Sequence, residues 1–393
     1  MRALADNIFA VGAIDWDLRL FDSLIPLPDG TSYNSFLIKG SEKTALLDTV
    51  APRKTDDLIG HLISAGAGSI DYIIAHHAEQ DHSGSLPDIL VLYPEAKVVT
   101  NAKCKGMLID LLDIDEDKFI VIEDRQTLSL GDKTLEFVFT PWVHWPETMC
   151  SYLKEDKILF SCDFLGAHLA SSDLFVSSER DVYEPAKRYF AEIMMPYSKP
   201  IRNNLKKLSE FEIDVIAPSH GPAHKNPQFI IDAYTDWAGE EVKNEVVLPY
   251  VSMHDSTKKM ADYLADALIE RGVKVTVFEL SKLDLGKLAI ALVDAATVVI
   301  GSPTFLVGPH PFAANAAFLA NALRPKARFI SVIGSYGWGT KAAGHLGGIL
   351  SGLKAELIEP VIVKGYPRGE NFKQLDELAD RILEKHKEAG ICE

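Results

Sequence analysis

The stretch His76-His77-Ala78-Glu79-Gln80-Asp81-His82 decides how this chain is read. The apolar run Tyr72-Ile73-Ile74-Ala75 leads into it and Ser83-Gly84-Ser85 follows. Such a run reads as a buried strand that ends in a loop. His77, Glu79 and Asp81 stand at every second position, so in an extended segment they point the same way. Two carboxylates and an imidazole meeting at one point are hard to keep together unless a cation sits among them. A polar surface loop is the plainer reading. Five ionisable side chains in seven residues, directly after a buried strand, weigh against it.

The motif resembles the H-x-H-x-D-H of the metallo-β-lactamase superfamily, with Glu79 where the hydrolases keep a second histidine. H-x-E-x-D is the variant of the flavodiiron proteins. That resemblance implies an N-terminal αββα metallo-β-lactamase-like sandwich holding two iron ions that reduce dioxygen or nitric oxide.

Bulk properties agree with a soluble enzyme of more than one domain. A chain of 393 residues is too long for one compact core. A net charge of −16 argues against nucleic acid and anionic membrane as partners. No stretch has the length of a membrane span, and the N-terminus lacks the basic and apolar regions of a signal peptide, so a cytoplasmic location is expected. Cys104, Cys150, Cys162 and Cys392 form no C-x-x-C pair, which argues against zinc ribbons and iron–sulfur clusters.

The first part of the chain alternates short strands with a few helices. Strands are expected at 8–11, 35–38 and 44–48, then a helix with Leu58, Ile59, Leu62 and Ile63 on one face. Beyond the motif come Val98–Thr100, a helix from Lys105 to Leu112, Ile120–Ile122 and Thr134–Phe139. Three later apolar runs each end on one ligand type: His144 between two prolines and two tryptophans, Asp163 after Ile158–Cys162, and His220 after Val215–Pro218. Each alone is weak; together they fall where the superfamily places its ligands. The family implies His77, Glu79 and His144 on one metal, Asp81 and His220 on the other, and Asp163 between them. His82 is left out of this set. A nitrogen and oxygen set without thiolate suits iron or manganese as well as zinc. Asp48, at a strand end, matches an Asp that supports the metal loop, or is a turn carboxylate. Tyr197 and His168 match positions around the family's metals, from which they would donate a hydrogen bond or proton; ordinary packing is the alternative.

The helix Gln228–Trp237 and the charged stretch 239–245 close a first domain, placed at residues 1–245. Residues 246–393 follow a new rhythm. Strands at 246–251, 274–278, 297–300 and 329–333 alternate with helices, which gives a doubly wound parallel sheet. A ligand of such a sheet lies beyond the strand C-termini. The loops there resemble those of flavodoxin and imply FMN. Ser252, Met253, His254, Ser256 and Thr257 form the first, ahead of a helix N-terminus suited to a phosphate. Pro303, Thr304 and Phe305 lie in the second, and Ser335, Tyr336, Gly337, Trp338 and Gly339 in the third. Two departures stand out. Leu306-Val307 replaces the family's frequent Asn-Asn, and Pro249 falls in a strand expected to be internal.

The domain pair implies that FMN passes electrons to a diiron site, with dioxygen going to water or nitric oxide to nitrous oxide. The external donor stays open among rubredoxin, a deazaflavin and another reductase. The family further implies a head-to-tail homodimer, possibly paired into a tetramer. Two rivals are a zinc hydrolase with an attached flavodoxin domain and a plain electron carrier.

Overall fold

Alternation along its strands builds the first half of the molecule. Leu37, Leu46, Ile73 and Val98 join one apolar cluster, while their neighbours Ile38, Leu47, Ile74 and Val99 join another. Each strand therefore buries both faces, the first under helices and the second against a facing sheet. In the computed structural model, which describes residues 2–282 and 284–393, the chain divides into two compact units. The first runs to Phe190 and includes Tyr197–Ala238; the second holds Gly239–Glu393 with Ala191–Pro196.

The first unit stacks a seven-stranded sheet on a five-stranded one. In the larger sheet, Thr44–Leu47, Tyr72–Ile74, Lys97–Thr100 and Phe119–Val121 run parallel in that order. In the smaller, Thr134–Phe139, Met149–Leu153 and Ile158–Cys162 are antiparallel, and Val215–Pro218 lies parallel at the edge. Phe36, Phe137, Phe160 and Met149 fill the space between the sheets. Leu58, Leu62, Ile89 and Leu108 cover the outer face of the larger sheet, which gives the expected αββα order.

Several boundaries shift for local reasons. The helix expected from Lys105 begins at Ala102, because the Asn101 side chain caps it by accepting from the Lys103 and Cys104 N–H groups. Ile63, expected on the apolar face of the helix Thr55–Ser64, is 68% exposed. The strand expected from Val246 starts at Lys243.

The second unit is a parallel sheet in the order Lys274–Glu279, Lys243–Tyr250, Ala295–Phe305, Phe329–Tyr336, then the short pieces Glu356–Leu357 and Val361–Lys364. Numbered along the unit, that order is 2-1-3-4-5, the flavodoxin-like one. Met260, Leu264 and Leu268 from one helix and Leu375, Leu378 and Ile382 from another cover one face. Pro249 does lie inside an internal strand, opposite Phe278.

Leu306 and Val307 link Phe305 to Gly308 in a tight hairpin, at φ of 46° and 73°. Left-handed backbone at both positions is what a two-residue hairpin turn demands, and asparagine adopts it more readily than leucine or valine. A β-branched residue there is strained. Val307→Gly should therefore stabilise the protein by about 1 kcal/mol, net of the extra freedom glycine gives the unfolded chain. Chemical denaturation checks this; an unchanged or lower midpoint would show that the turn carries no such strain.

Candidate metal centre and flavin cleft

The metal loop is set by its approach. Asp48 ends the strand Thr44–Leu47 in left-handed backbone, φ 53°. Its carboxylate accepts from the His76 N–H at 2.8 Å and from His76 Nδ1 at 2.7 Å. His76 Nε2 meets Ser151 Oγ at 2.7 Å, so both ring nitrogens are engaged away from the centre. Asp48 is thus the support of the loop rather than a plain turn carboxylate.

Beyond His76 the chain does not stay extended. Gln80–Ser83 is a helical turn, with Glu79 at its N-cap, and Ser83 Oγ donates to the Ala78 and Glu79 carbonyls. The argument from alternating side chains therefore fails at Asp81. The outcome survives because the turn swings Asp81 inward, and it brings the adjacent His82 with it.

Two clusters result. Around the first, His77 Nε2 and His144 Nε2 lie 3.1 and 3.2 Å from Glu79 Oε2, and 3.5 and 3.4 Å from Asp163 Oδ2. Around the second, His220 Nε2 lies 3.2 Å from Asp81 Oδ2 and 3.2 Å from Asp163 Oδ1, and His82 Nε2 lies 3.0 Å from Asp163 Oδ1. Asp163 gives one oxygen to each. Donor atoms about 2.0–2.2 Å from a shared ion stand roughly 3.0–3.5 Å from one another, so both clusters have the spacing of a coordination shell. Asp81 Oδ1, His82 Nε2 and Asp163 Oδ1 are buried without a hydrogen-bond partner among the described residues. Three such lone-pair atoms around one point fit a cation.

The outer nitrogens fix the tautomers. His77 Nδ1 donates to Glu147 Oε1 at 2.6 Å, and His220 Nδ1 donates to the Ser32 carbonyl at 2.6 Å. Each Nε2 lone pair then faces the centre. Burial alone would raise the Glu147 carboxyl, but His77 and the Ala78 N–H together outweigh it and hold the group below its ordinary range. Glu147 was missed in the sequence; a lone glutamate in a loop carries no signal of its partner. His168 Nδ1 meets Thr31 Oγ1 at 2.9 Å, and its ring lies 4.7 Å from that of His220. Burial holds His168 well below its ordinary value, which favours the neutral ring. Tyr197 stacks on Trp142 at 6.2 Å, and Trp142 is half exposed. Trp145 does close on His77, edge to face at 4.9 Å.

The second unit carries its own cleft at the strand C-termini, about 370 Å³, lined by Ser252, Met253, His254, Ser256, Thr257, Pro303, Thr304, Ser335, Tyr336, Gly337 and Trp338. Gly365 and Tyr366, which the sequence reading did not single out, line it too, while Phe305 and Gly339 do not. The helix Ser256–Glu270 points its N-terminus here, and Ser252 Oγ is buried without a hydrogen-bond partner among the described residues. The lining has no Lys or Arg, so backbone N–H groups and hydroxyls would hold a phosphate. Trp338, 88% exposed, is free to cover a flat ring.

A metallo-β-lactamase-like unit with two clusters of metal-binding side chains, continuous with a flavodoxin-like unit, defines a flavin- and metal-dependent oxidoreductase. Comparison with known proteins makes this specific. Residues 31–221 match the ODP family beta lactamase and residues 248–377 the flavodoxin family. The chain is 35% identical to a nitric oxide reductase of Moorella thermoacetica, over 97% of each chain. It is 33% identical to a coenzyme F420H(2) oxidase of Methanothermobacter marburgensis, over 89% of this chain and 90% of the other. The solved rubredoxin oxygen:oxidoreductase of Desulfovibrio gigas superposes with a TM-score of 0.94 at 29% identity, over 98% of each chain. The chain belongs to the flavodiiron family, whose cofactors are FMN and two irons. The zinc hydrolase reading is not favoured. Among the described residues no helix is long and apolar enough to cross a membrane.

Because Asp48 alone pairs with the His76 backbone and Nδ1, Asp48→Ala should cost roughly 2–4 kcal/mol and loosen the metal loop. Asp48→Asn keeps an acceptor for the backbone N–H and should cost less. Thermal melts with iron analysis test the order; equal stability of all three forms would remove Asp48 from the support of the loop.

Proposed function

We propose that His77, Glu79 and His144 hold one iron and Asp81 and His220 the other, with Asp163 bridging and His82 on the second side. The observation that carries this is the division of the Asp163 carboxylate, one oxygen toward each cluster. When bound, FMN supplies electrons one at a time and the two irons supply the place where dioxygen or nitric oxide is reduced. The chain's own work is to hold each histidine in the tautomer that faces the centre and to keep the pair buried. His168 Nε2, buried and without a hydrogen-bond partner among the described residues, would give or take a proton there. Tyr197, stacked on Trp142 two residues before His144, would stand beside the loop that carries this ligand. In the cleft, Ser252, His254, Ser256 and Thr257 take the flavin phosphate, and Tyr336 and Trp338 flank the ring.

Relatives named for nitric oxide, for oxygen with rubredoxin, and for coenzyme F420H(2) support dioxygen or nitric oxide as substrate and rubredoxin or a deazaflavin as donor. The four free cysteines suit a reducing cytoplasm. Anaerobic turnover of reduced, iron-loaded protein against each gas separates the substrates. Glu79→Ala should abolish turnover on both while FMN stays bound, with the loss confined to the iron of its own cluster. Full activity of this variant, or zinc in place of iron in protein from the native source, would overturn the assignment.

We also propose a head-to-tail homodimer, possibly paired again, in which the flavin of one copy serves the irons of the other. A two-fold operator satisfies both pairings at once and closes the assembly. Mixing Glu79→Ala with a flavin-free variant of the Ser256–Thr257 loop should restore activity on subunit exchange. No recovery despite demonstrated exchange would refute the crossed arrangement.

A further inference from the structure

The two clusters share Asp163, but their supports are disjoint. On one side, Ser32 and Asn34 grip the loop of His220. The Ser32 carbonyl accepts from His220 Nδ1 at 2.6 Å and Ser32 Oγ accepts from the Gly221 N–H at 2.8 Å. Asn34 donates its backbone N–H to the Ser219 carbonyl at 2.7 Å. Its side-chain amide donates to the carbonyls of Pro218 at 2.8 Å and Gly221 at 2.7 Å, one on each side of His220. A single amide thus fixes the width of the turn that presents the ligand. These residues lie in and just after the strand Thr31–Tyr33, which pairs only with Ala13–Asp15 and belongs to neither main sheet.

On the other side, Glu147 grips the loop of His77. Its Oε1 accepts from His77 Nδ1 at 2.6 Å and from the Ala78 N–H at 3.1 Å. Asn101 in turn donates to the Glu147 carbonyl at 2.6 Å, while its Oδ1 caps the helix Ala102–Leu112. The first grip is anchored on the small outlying sheet, the second on a helix over the larger sheet. Removing an outer partner of this kind weakens metal binding by roughly 10–100-fold. Because the grips have no residue in common, that loss should stay on its own side.

We propose that Asn34 is the positioning residue of the Asp81–His220 subsite and Glu147 that of the His77–Glu79–His144 subsite, so that either ion can be removed while the other stays. This rests on the ligand assignment given above. The test uses full-length protein loaded anaerobically with ferrous iron and then dialysed against a weak chelator. Iron per chain, FMN per chain, the melting temperature and the magnetic signature of the iron are measured. Asn34→Ala and Glu147→Ala should each retain about half of the wild-type iron with FMN unchanged, the affinity of one site falling about 10–100-fold. An exchange-coupled pair should give way to isolated high-spin iron, a change that general loosening of the fold would not produce.

Crossing the variants identifies the sides. Asn34→Ala with His220→Ala should still hold half the iron, whereas Asn34→Ala with Glu79→Ala should hold almost none. Glu147→Gln, which keeps an oxygen facing His77 Nδ1, should recover most of the iron. Asn34→Asp has the shape of asparagine but turns an oxygen toward two carbonyls, so it stands in if the alanine variant does not fold. Loss of both irons, or of neither, from the single variants would overturn the proposal. Wild-type protein that fails to bind two irons would instead overturn the ligand assignment.

Discussion

Everything in the first unit answers to one electrostatic constraint: three carboxylates and several imidazoles are gathered at a point largely withdrawn from water. Asp81, Asp163, His77, His82 and His220 are all buried. Like charges so placed cost several kcal/mol each unless opposite charge sits among them. Protein cations do not supply it, since no Lys or Arg pairs with Glu79, Asp81 or Asp163 among the described ion pairs. The imidazoles can only partly do so. Metal ions are the remaining source, and the shape of the site follows from holding two of them at once.

The backbone shows the cost of that gathering. Asp48 (φ 53°), Cys162 (φ 54°), Leu165 (φ 67°) and Gly221 (φ 80°) all sit in left-handed backbone within or beside the loops that carry ligands or their support. Only one of them is glycine. Single residues in that region cost of order 1–3 kcal/mol and persist where the surroundings over-determine them. Here the surroundings are visible: Asp48 is locked to His76, and a Cβ on Gly221 would meet the Ala167 carbonyl oxygen at 2.8 Å. The distortion gathers where the strands end: the pairing of Ile158–Cys162 with Val215–Pro218 shifts register between Phe160 and Cys162, next to Asp163.

That division sets what the sequence could reveal. The strands were legible because short apolar runs and strand-end ligands leave a local mark: Tyr72–Ile74, Thr134–Phe139, Ile158–Cys162 and Val215–Pro218 carry their pattern within a few residues. The cleft of the second unit was legible for the same reason, since three loops at strand ends supply most of its lining. The helical turn at Gln80–Ser83 was not, because four polar residues there have no periodicity to read. It hid the approach of His82, which an extended chain would have sent to the opposite side from Asp81. Glu147, Ser32 and Asn34 were illegible for a different reason. Their roles are hydrogen bonds across 70, 188 and 184 residues, and a long-range bond leaves no trace beside either partner.

The one substitution that marks the motif has a physical meaning once the geometry is known. Glu79 Oε2 lies within 3.2 Å of two imidazole nitrogens, in a position where the related hydrolases place a neutral ring. A neutral ligand leaves the bound ion more electron-poor, which suits an ion whose task is to acidify water. A carboxylate adds a negative charge and a hard oxygen donor to the same subsite. Coulomb attraction then grows with the charge of the ion, so the higher oxidation state gains more than the lower. For zinc, which has no second accessible state, that gain is useless. For iron it would favour the ferric state, which eases the loss of an electron to the substrate. On the ligand assignment proposed above, Glu79 and the flavin cleft serve one purpose: the carboxylate would favour the oxidised ion and so ease electron transfer to the substrate, and the second unit would provide the electrons that restore it.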